Sequence, residues 1–209
     1  MNLVRPNEHE PFDHIAWGVP NLDDGLAEFE RRTGVAPFVP PQTDAAAAGT
    51  VSGVARLQGR SSVEILAPTP GSEPTGLGRL LARRAEPGLM FWYAAYHALR
   101  ALLAELNAMG IPTTALETYD MPTISFRRAY VADHIFNPAV PYLIQWGRRD
   151  EGSGREAPRI TVESFWVEHT EPGSLDRIYD ALGIEVDCRE GGIPTTRLVL
   201  NTPNGIVEL

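Results

Sequence analysis

In "FDHIAWG", residues 12–18, one histidine alternates with large apolar side chains. On an extended strand Ile15 and Trp17 fall on one face and His14 on the other. Three later stretches repeat the alternation around a polar residue. Val63 and Ile65 oppose Glu64 in "SSVEILAP", Ile144 and Trp146 oppose Gln145 in "VPYLIQWG", and Val207 and Leu209 oppose Glu208 in "NGIVEL". A histidine and a carboxylate on one sheet face can move a proton on a bound molecule or share a divalent ion. The same residues also have an ordinary structural use. His14 can be a hydrogen-bonded histidine, and water or an arginine such as Arg56 or Arg127 can satisfy Glu64. Something must do so, because leaving a buried charge unpaired costs roughly 3–5 kcal/mol.

The elements that would position these residues recur along the chain. Residues 22–33 form an amphipathic helix pattern, with Leu22, Leu26 and Phe29 on one face. Asn21 suits the N-cap, Asp23 and Asp24 suit the first turn, and Gly34 ends the pattern before Val35. A second copy reads "LMFWYAAYHALRALLAELNAMGI". Its stripe is Leu99, Leu102, Leu103 and Leu106, and it stops at Gly110. A third reads "ITVESFWVEHTEPGSLDRIYDALGI", with Leu175, Ile178, Tyr179 and Leu182 before Gly183. Each helix follows an aromatic-rich strand, and each copy closes with one of the alternating strands above. Weaker β segments lie between, in "TVSGVARLQ", "TISFRRAYV" and "TTRLVLNTP".

The pattern predicts an α+β protein built from three βαβββ modules. Modules one (about 10–68) and two (about 88–147) form a pair, and residues 148–158 are a charged, Gly-rich linker. A third module, 159–209, packs on the first two or on another subunit. The Pro- and Gly-rich stretch between modules one and two has room for a short helix around Arg79 to Arg84.

Composition removes whole classes of function. The chain is 43% hydrophobic and 22% charged, which suits a globular protein, and its net charge of −9 disfavours a nucleic-acid partner. All 18 basic residues are arginine. Without lysine there is no Schiff base, pyridoxal-phosphate anchor or P-loop. Cys188 is the single cysteine, so a disulfide framework and a cysteine-cluster zinc site are excluded, and a structural role is expected for it. No signal-peptide core or membrane-length apolar run occurs, which points to the cytoplasm and to no membrane partner. GxSxG, GxGxxG and HExxH are absent, leaving no sign of a serine hydrolase or nucleotide site.

Tandem βαβββ units are the plan of the vicinal-oxygen-chelate superfamily. More narrowly, "FDHIAWGVPNLDDGLAEFERRTGV", Gly49–Thr50, "VEILAP", "VPYLIQWG" and "LNTPNGIVEL" resemble the glyoxalase-like domain family. The chain departs from it where Val51 and Ser52 replace a frequent His-Asn pair. The family's frequent histidine is also missing from "VPPQTDAAAAGT".

The resemblance implies mixed sheets curving around a cleft, with the first and last strands of paired modules supplying its polar groups. Matching the helix-ending glycines aligns His14 with Met90 and Glu163, and in the closing strands Glu64 matches Gln145 and Glu208. His14, Glu64 and Gln145 then form a candidate set for one divalent metal (Mn, Fe, Ni or Zn), with Glu64 as candidate catalytic base. Met90 is a poor fourth ligand, which speaks against a complete glyoxalase I quartet, and the set lacks the second histidine of an extradiol dioxygenase.

Two functions remain open. One is a metal-dependent lyase, isomerase or oxygenase on a small oxygenated molecule. The other is a metal-free protein that binds or sequesters a small molecule, as bleomycin-resistance proteins do. For either, His14, Gln145, Phe91, Trp92, Tyr93 and His134 are candidate ligand contacts. The adjacent aromatic residues can instead divide between core and cleft, and His97 and His9 are expected at the surface. A third module with no partner in the chain points to a homodimer.

Overall fold

A computed structural model describes residues 12–40, 49–71, 73–120, 124–135, 137–148 and 159–209. His9, the 41–48 part of "VPPQTDAAAAGT" and all of the expected linker except Arg148 lie outside them. The elements run β1 (His14–Gly18), α1 (Leu22–Thr33), β2 (Thr50–Arg56), β3 (Ser62–Pro68), α2 (Gly76–Ala82) and β4 (Gly88–Ala95). Then follow α3 (Leu99–Ala108), β5 (Glu117–Asp120), β6 (Ser125–Ala129), β7 (Tyr142–Trp146), β8 (Thr161–His169) and α4 (Asp176–Leu182). The chain ends in β9 (Asp187–Glu190), β10 (Thr195–Thr202) and β11 (Gly205–Glu208). The fold is α+β with mixed parallel and antiparallel pairing. No described helix is long and apolar enough to cross a membrane.

The chain divides into two compact units. The first takes Met1–Asp13, Phe91–Glu156 and Phe165–Thr196, and the second takes His14–Met90, Ala157–Ser164 and Arg197–Leu209.

In the second unit β3 lies between β1, which it parallels, and antiparallel β2. Helix α1 covers one face. Trp17 and Phe29 meet there at 6.0 Å between ring centroids, and Leu26 lies so close to Gly53 that a β-carbon at that glycine would fall 2.4 Å away. Trp17, Ile15, Val63 and Ile65 are all nearly or fully buried, each stabilising the fold by about 1.5–3 kcal/mol. Both ends of α1 follow local chemistry. The Asn21 side chain accepts the Asp24 N–H at 3.1 Å, and Gly34 sits at φ 72 with its N–H on the Glu30 carbonyl. The β10–β11 hairpin reaches this helix: Asn204 donates to the Arg31 carbonyl at 3.1 Å, and Arg32 donates to the Glu208 carbonyl.

In the first unit the order is β4-β7-β6-β5, with β4 parallel to β7 and the rest antiparallel. Leu99, Leu102 and Leu106 of α3 are buried. Two tyrosines join the later part of the chain to this core. Tyr96 donates to the Leu182 carbonyl at 3.0 Å, and Tyr179 donates to the Ala139 carbonyl at 2.6 Å.

Residues 161–209 keep the element order βαβββ but change the pairing. Opening strands β1 and β4 each lie beside their closing strands, β3 and β7. By contrast β8 runs parallel to β9, while the closing strand β11 pairs with β10. Helix α2 forms within the inter-module stretch, beginning three residues before Arg79.

Candidate functional site

Each unit presents a sheet face turned away from its helix. In the second unit the register pairs His14 with Ser62 and Ala16 with Glu64, so His14 and Glu64 share the face opposite Ile15, Trp17 and α1. His14 Nε2 lies 4.0 Å from Glu64 Oε2, with 10% and 27% of the respective side chains exposed. Arg56 shares that face, yet the basic side chain within 4.0 Å of the Glu64 carboxylate is His14. The strand parity read from the sequence therefore places these two residues as expected, and the fold brings them together.

Gln145 is placed differently. Its Oε1 accepts the Leu99 N–H at 3.2 Å, on the helix-bearing side of β7. Ala98, at the N-cap of α3, makes no side-chain cap, so Gln145 satisfies a helix-start donor from the neighbouring strand. Alternation alone put Ile144 and Trp146 under the helix and Gln145 opposite it, and the opening strand shows the same reversal of faces. Helix α3 runs from Leu99 to its glycine at 110 in one residue fewer than α1 takes from Leu22 to Gly34. Matching the helix starts instead of the glycines aligns His14 with Phe91, not Met90. Since β1 pairs Ala16 with Glu64 and β4 pairs Tyr93 with Tyr142, the position equivalent to Glu64 is Tyr142. One residue of offset exchanges the two faces of a strand.

The face averted from α3 therefore carries Phe91, Tyr93, Tyr142 and Trp146, joined in register by Arg128 and Phe126 of β6 and by Tyr119 of β5. Phe91 stacks on Tyr142 at 4.7 Å and 12°, Tyr130 meets Tyr142 edge-on at 4.4 Å, and Phe126 packs against Trp146 at 5.6 Å. Phe91 and Tyr93 are buried, whereas Phe126, Tyr130, Tyr142 and Trp146 are half-buried. Trp92 points the other way and is wholly buried. Its Nε1 donates to the Pro138 carbonyl at 3.1 Å and its ring meets Phe165 at 5.1 Å. The expected Phe-Trp-Tyr contact set thus splits, with Trp92 in the core.

Arg128 lies among these rings with 24% of its side chain exposed. Its Nε donates to Glu117 Oε2 and its Nη2 to the Tyr119 hydroxyl, both at 2.6 Å. The guanidinium carbon sits 4.7 Å from the centre of the Tyr119 ring and 5.7 Å from that of Tyr130. Burial works against the arginine's charge, but Tyr130, Tyr93 and Glu117 outweigh it and hold the guanidinium protonated. Burial also pushes the Tyr142 hydroxyl up to about 12, against the pull of Arg128.

His134 stands on a 3-10 turn, Ala132–His134, and is half-buried. Asn137 Nδ2 lies 3.2 Å from His134 Nδ1 and 3.5 Å from His169 Nε2, while its Oδ1 accepts the Ala139 N–H at 3.0 Å. That last bond assigns the amide's orientation, so both ring nitrogens face a donor and act as acceptors. Burial lowers the His134 pKa, Asp133 opposing and His169 adding to the shift. His97 is exposed, and the Cys188 thiol is pushed up chiefly by burial.

Residue types alone could not single out Arg128, Tyr130, Tyr142, Trp146 or His169. For Tyr142 and Trp146 the usable signal is their alternation with Ile144, once the correct face is assigned.

The donor set does not fit the divalent metal implied by the resemblance. His14 and Glu64 supply two donors. Among the described residues, no group of three or more His, Cys, Asp and Glu could hold a metal ion. A catalytic metal centre ordinarily takes three protein ligands.

Helices on one face of mixed sheets and opening and closing strands side by side are consistent with the vicinal-oxygen-chelate fold. The chain belongs to the glyoxalase-like domain family, whose profile matches residues 12–183. Among solved structures, a hypothetical protein from Staphylococcus aureus is similar at TM-score 0.64 and 11% identity, covering 94% of this chain and 97% of its own. Methylmalonyl-CoA epimerase from Mycobacterium tuberculosis is similar at TM-score 0.50 and 14% identity, covering 69% and 92%. The Streptomyces coelicolor methylmalonyl-CoA epimerase in complex with 2-nitronate-propionyl-CoA is similar at 0.50 and 16%, covering 67% and 98%. At these identities the likeness shows the fold alone. No curated protein matches the chain.

Proposed function

We propose that the protein binds a small organic molecule on the helix-averted face of β4, β7 and β6. The observation that carries this reading is the half-buried cluster of Phe126, Tyr130, Tyr142 and Trp146 around the charged Arg128. Half-buried rings offer apolar contact area at low entropic cost, and a few fixed polar groups orient what binds. A small-molecule thioester bound to one protein of the same fold supports a ligand-binding use of such a scaffold. Titrating the full chain with small aromatic compounds, while following tryptophan fluorescence, tests the proposal. Saturable quenching that is lost in Trp146→Phe and weakened at least about tenfold in Tyr142→Ala is expected. Binding left intact by both substitutions would sink it.

His14 and Glu64 favour a second reading, in which the second unit handles a proton. Glu64 is the partly exposed carboxylate and acts as base, and His14 positions it from 4.0 Å. Metal content after equilibration with Mn, Fe, Co, Ni and Zn ions and desalting distinguishes this from the metal-dependent lyase, isomerase or oxygenase. Near-stoichiometric metal lost in both His14→Ala and Glu64→Ala would replace the proton-handling role with a ligating one. The cytoplasmic homodimer is proposed from the sequence, and light scattering giving a monomer mass at micromolar concentration would remove the dimer.

A further inference from the structure

We infer that Arg128 is an anion anchor and that the molecule bound on this face is an aromatic carboxylate. The inference rests on the binding reading above and names its ligand class.

A guanidinium has two edges that can each present two parallel N–H donors. On Arg128 the Nε/Nη2 edge is taken, by Glu117 and by the Tyr119 hydroxyl. The other edge carries one N–H group of Nη1 and one of Nη2, and among the described residues Nη1 has no acceptor. The Tyr130 ring lies 5.7 Å from the guanidinium carbon, and its hydroxyl likewise has no partner among the described residues. Glu117 and the Tyr119 ring fix the plane of the fork, so the free edge is set before a ligand arrives. Two parallel donors match the two oxygens of a carboxylate. The half-buried rings of Tyr142, Phe126 and Trp146 then require that the carboxylate be carried by a flat apolar body. A neutral aromatic molecule would leave the Arg128 edge unpaired where it is three-quarters shielded from water.

Three matched pairs test this on the full chain by isothermal titration calorimetry: benzoate and benzamide, 1-naphthoate and 1-naphthamide, indole-3-acetate and indole-3-acetamide. In each pair the shape is nearly kept and the charge is removed. The acids are expected to bind at least about tenfold more tightly than their amides. Arg128→Gln should bring each pair within about twofold by weakening the acid alone. If Arg128→Gln fails to fold, Arg128→Lys keeps a charge but loses the fork, and should reduce the acid preference several-fold. Equal binding of acids and amides by the unaltered protein, or an acid preference that survives loss of the arginine, would overturn the anchor. The binding face itself would still stand if Tyr142→Ala abolished the interaction. If none of the six compounds binds at millimolar concentration, the anchor and the binding face fall together.

Discussion

Trp146 donates its indole N–H to both carboxylate oxygens of Asp13, at 3.1 Å each. Asp13 is 8% exposed, and its own N–H donates to the Tyr93 carbonyl at 2.7 Å. A ring on the proposed binding face is thus held by a buried charge. Trp146→Phe keeps the aromatic contact with Phe126 and removes one donor from that carboxylate. It should lower unfolding free energy by about 1–3 kcal/mol, measured by urea denaturation. A loss below about 0.5 kcal/mol would show that Asp13 does not depend on the indole.

Gln145→Leu should destabilise through the start of α3. The substitution leaves the Leu99 N–H without its acceptor at a helix start whose N-cap residue is alanine. The expected cost is about 1 kcal/mol in urea denaturation, with no change in metal content. Metal loss in this variant would return Gln145 to the role of a ligand.

Alkaline pH should weaken the fold through its buried phenols. Tyrosine ionises near 10.0 in the unfolded chain, and burial holds Tyr96 and Tyr179 above that value in the folded protein. Below pH 10 both states keep their protons and the contribution is fully present. Above it the unfolded state loses protons first, so stability falls as pH rises toward the folded values, by at most about 1.4 kcal/mol per pH unit for each tyrosine. Urea midpoints between pH 8 and 11 would follow this. Tyr179→Phe should flatten the slope above pH 10, and an unchanged slope would assign the loss elsewhere.

Acid should act on the pair of rings at Asn137. The folded His134 value lies below 6.5, so its contribution is present above pH 6.5 and is lost as pH falls through the folded value. Protonation would also set a ring N–H against the Asn137 amide, which is held by Ala139. Proton NMR of the His134 ring should give a midpoint below 6.5. Asn137→Ala should remove the acceptor requirement and raise that midpoint, and a value at or above 6.5 in the unaltered protein would contradict the arrangement.

The sequence by itself determined the local grammar. Asn21 caps α1, and Gly34, Gly110 and Gly183 adopt positive φ beside the ends of the three long helical patterns, because caps and left-handed turns depend on a few neighbouring residues. It also determined that Glu64 opposes Val63 and Ile65, since alternation is a property of any strand. The family followed from the order of such elements, which local signals preserve.

Tertiary structure decided what depends on offsets between elements. The register of β7 on β4 pairs Tyr93 with Tyr142, so Gln145 serves the helix and Tyr142 takes the place equivalent to Glu64. No local preference records that choice, because both faces of "YLIQW" carry residues that can be buried. The same holds for residues 161–209, where β8 pairs with β9 although its segment repeats the βαβββ order. Arg128 shows the limit most plainly. Its charge was written in the sequence, but the carboxylate and rings around its fork come from β5 and from Tyr130 just after β6, and only register brings them together.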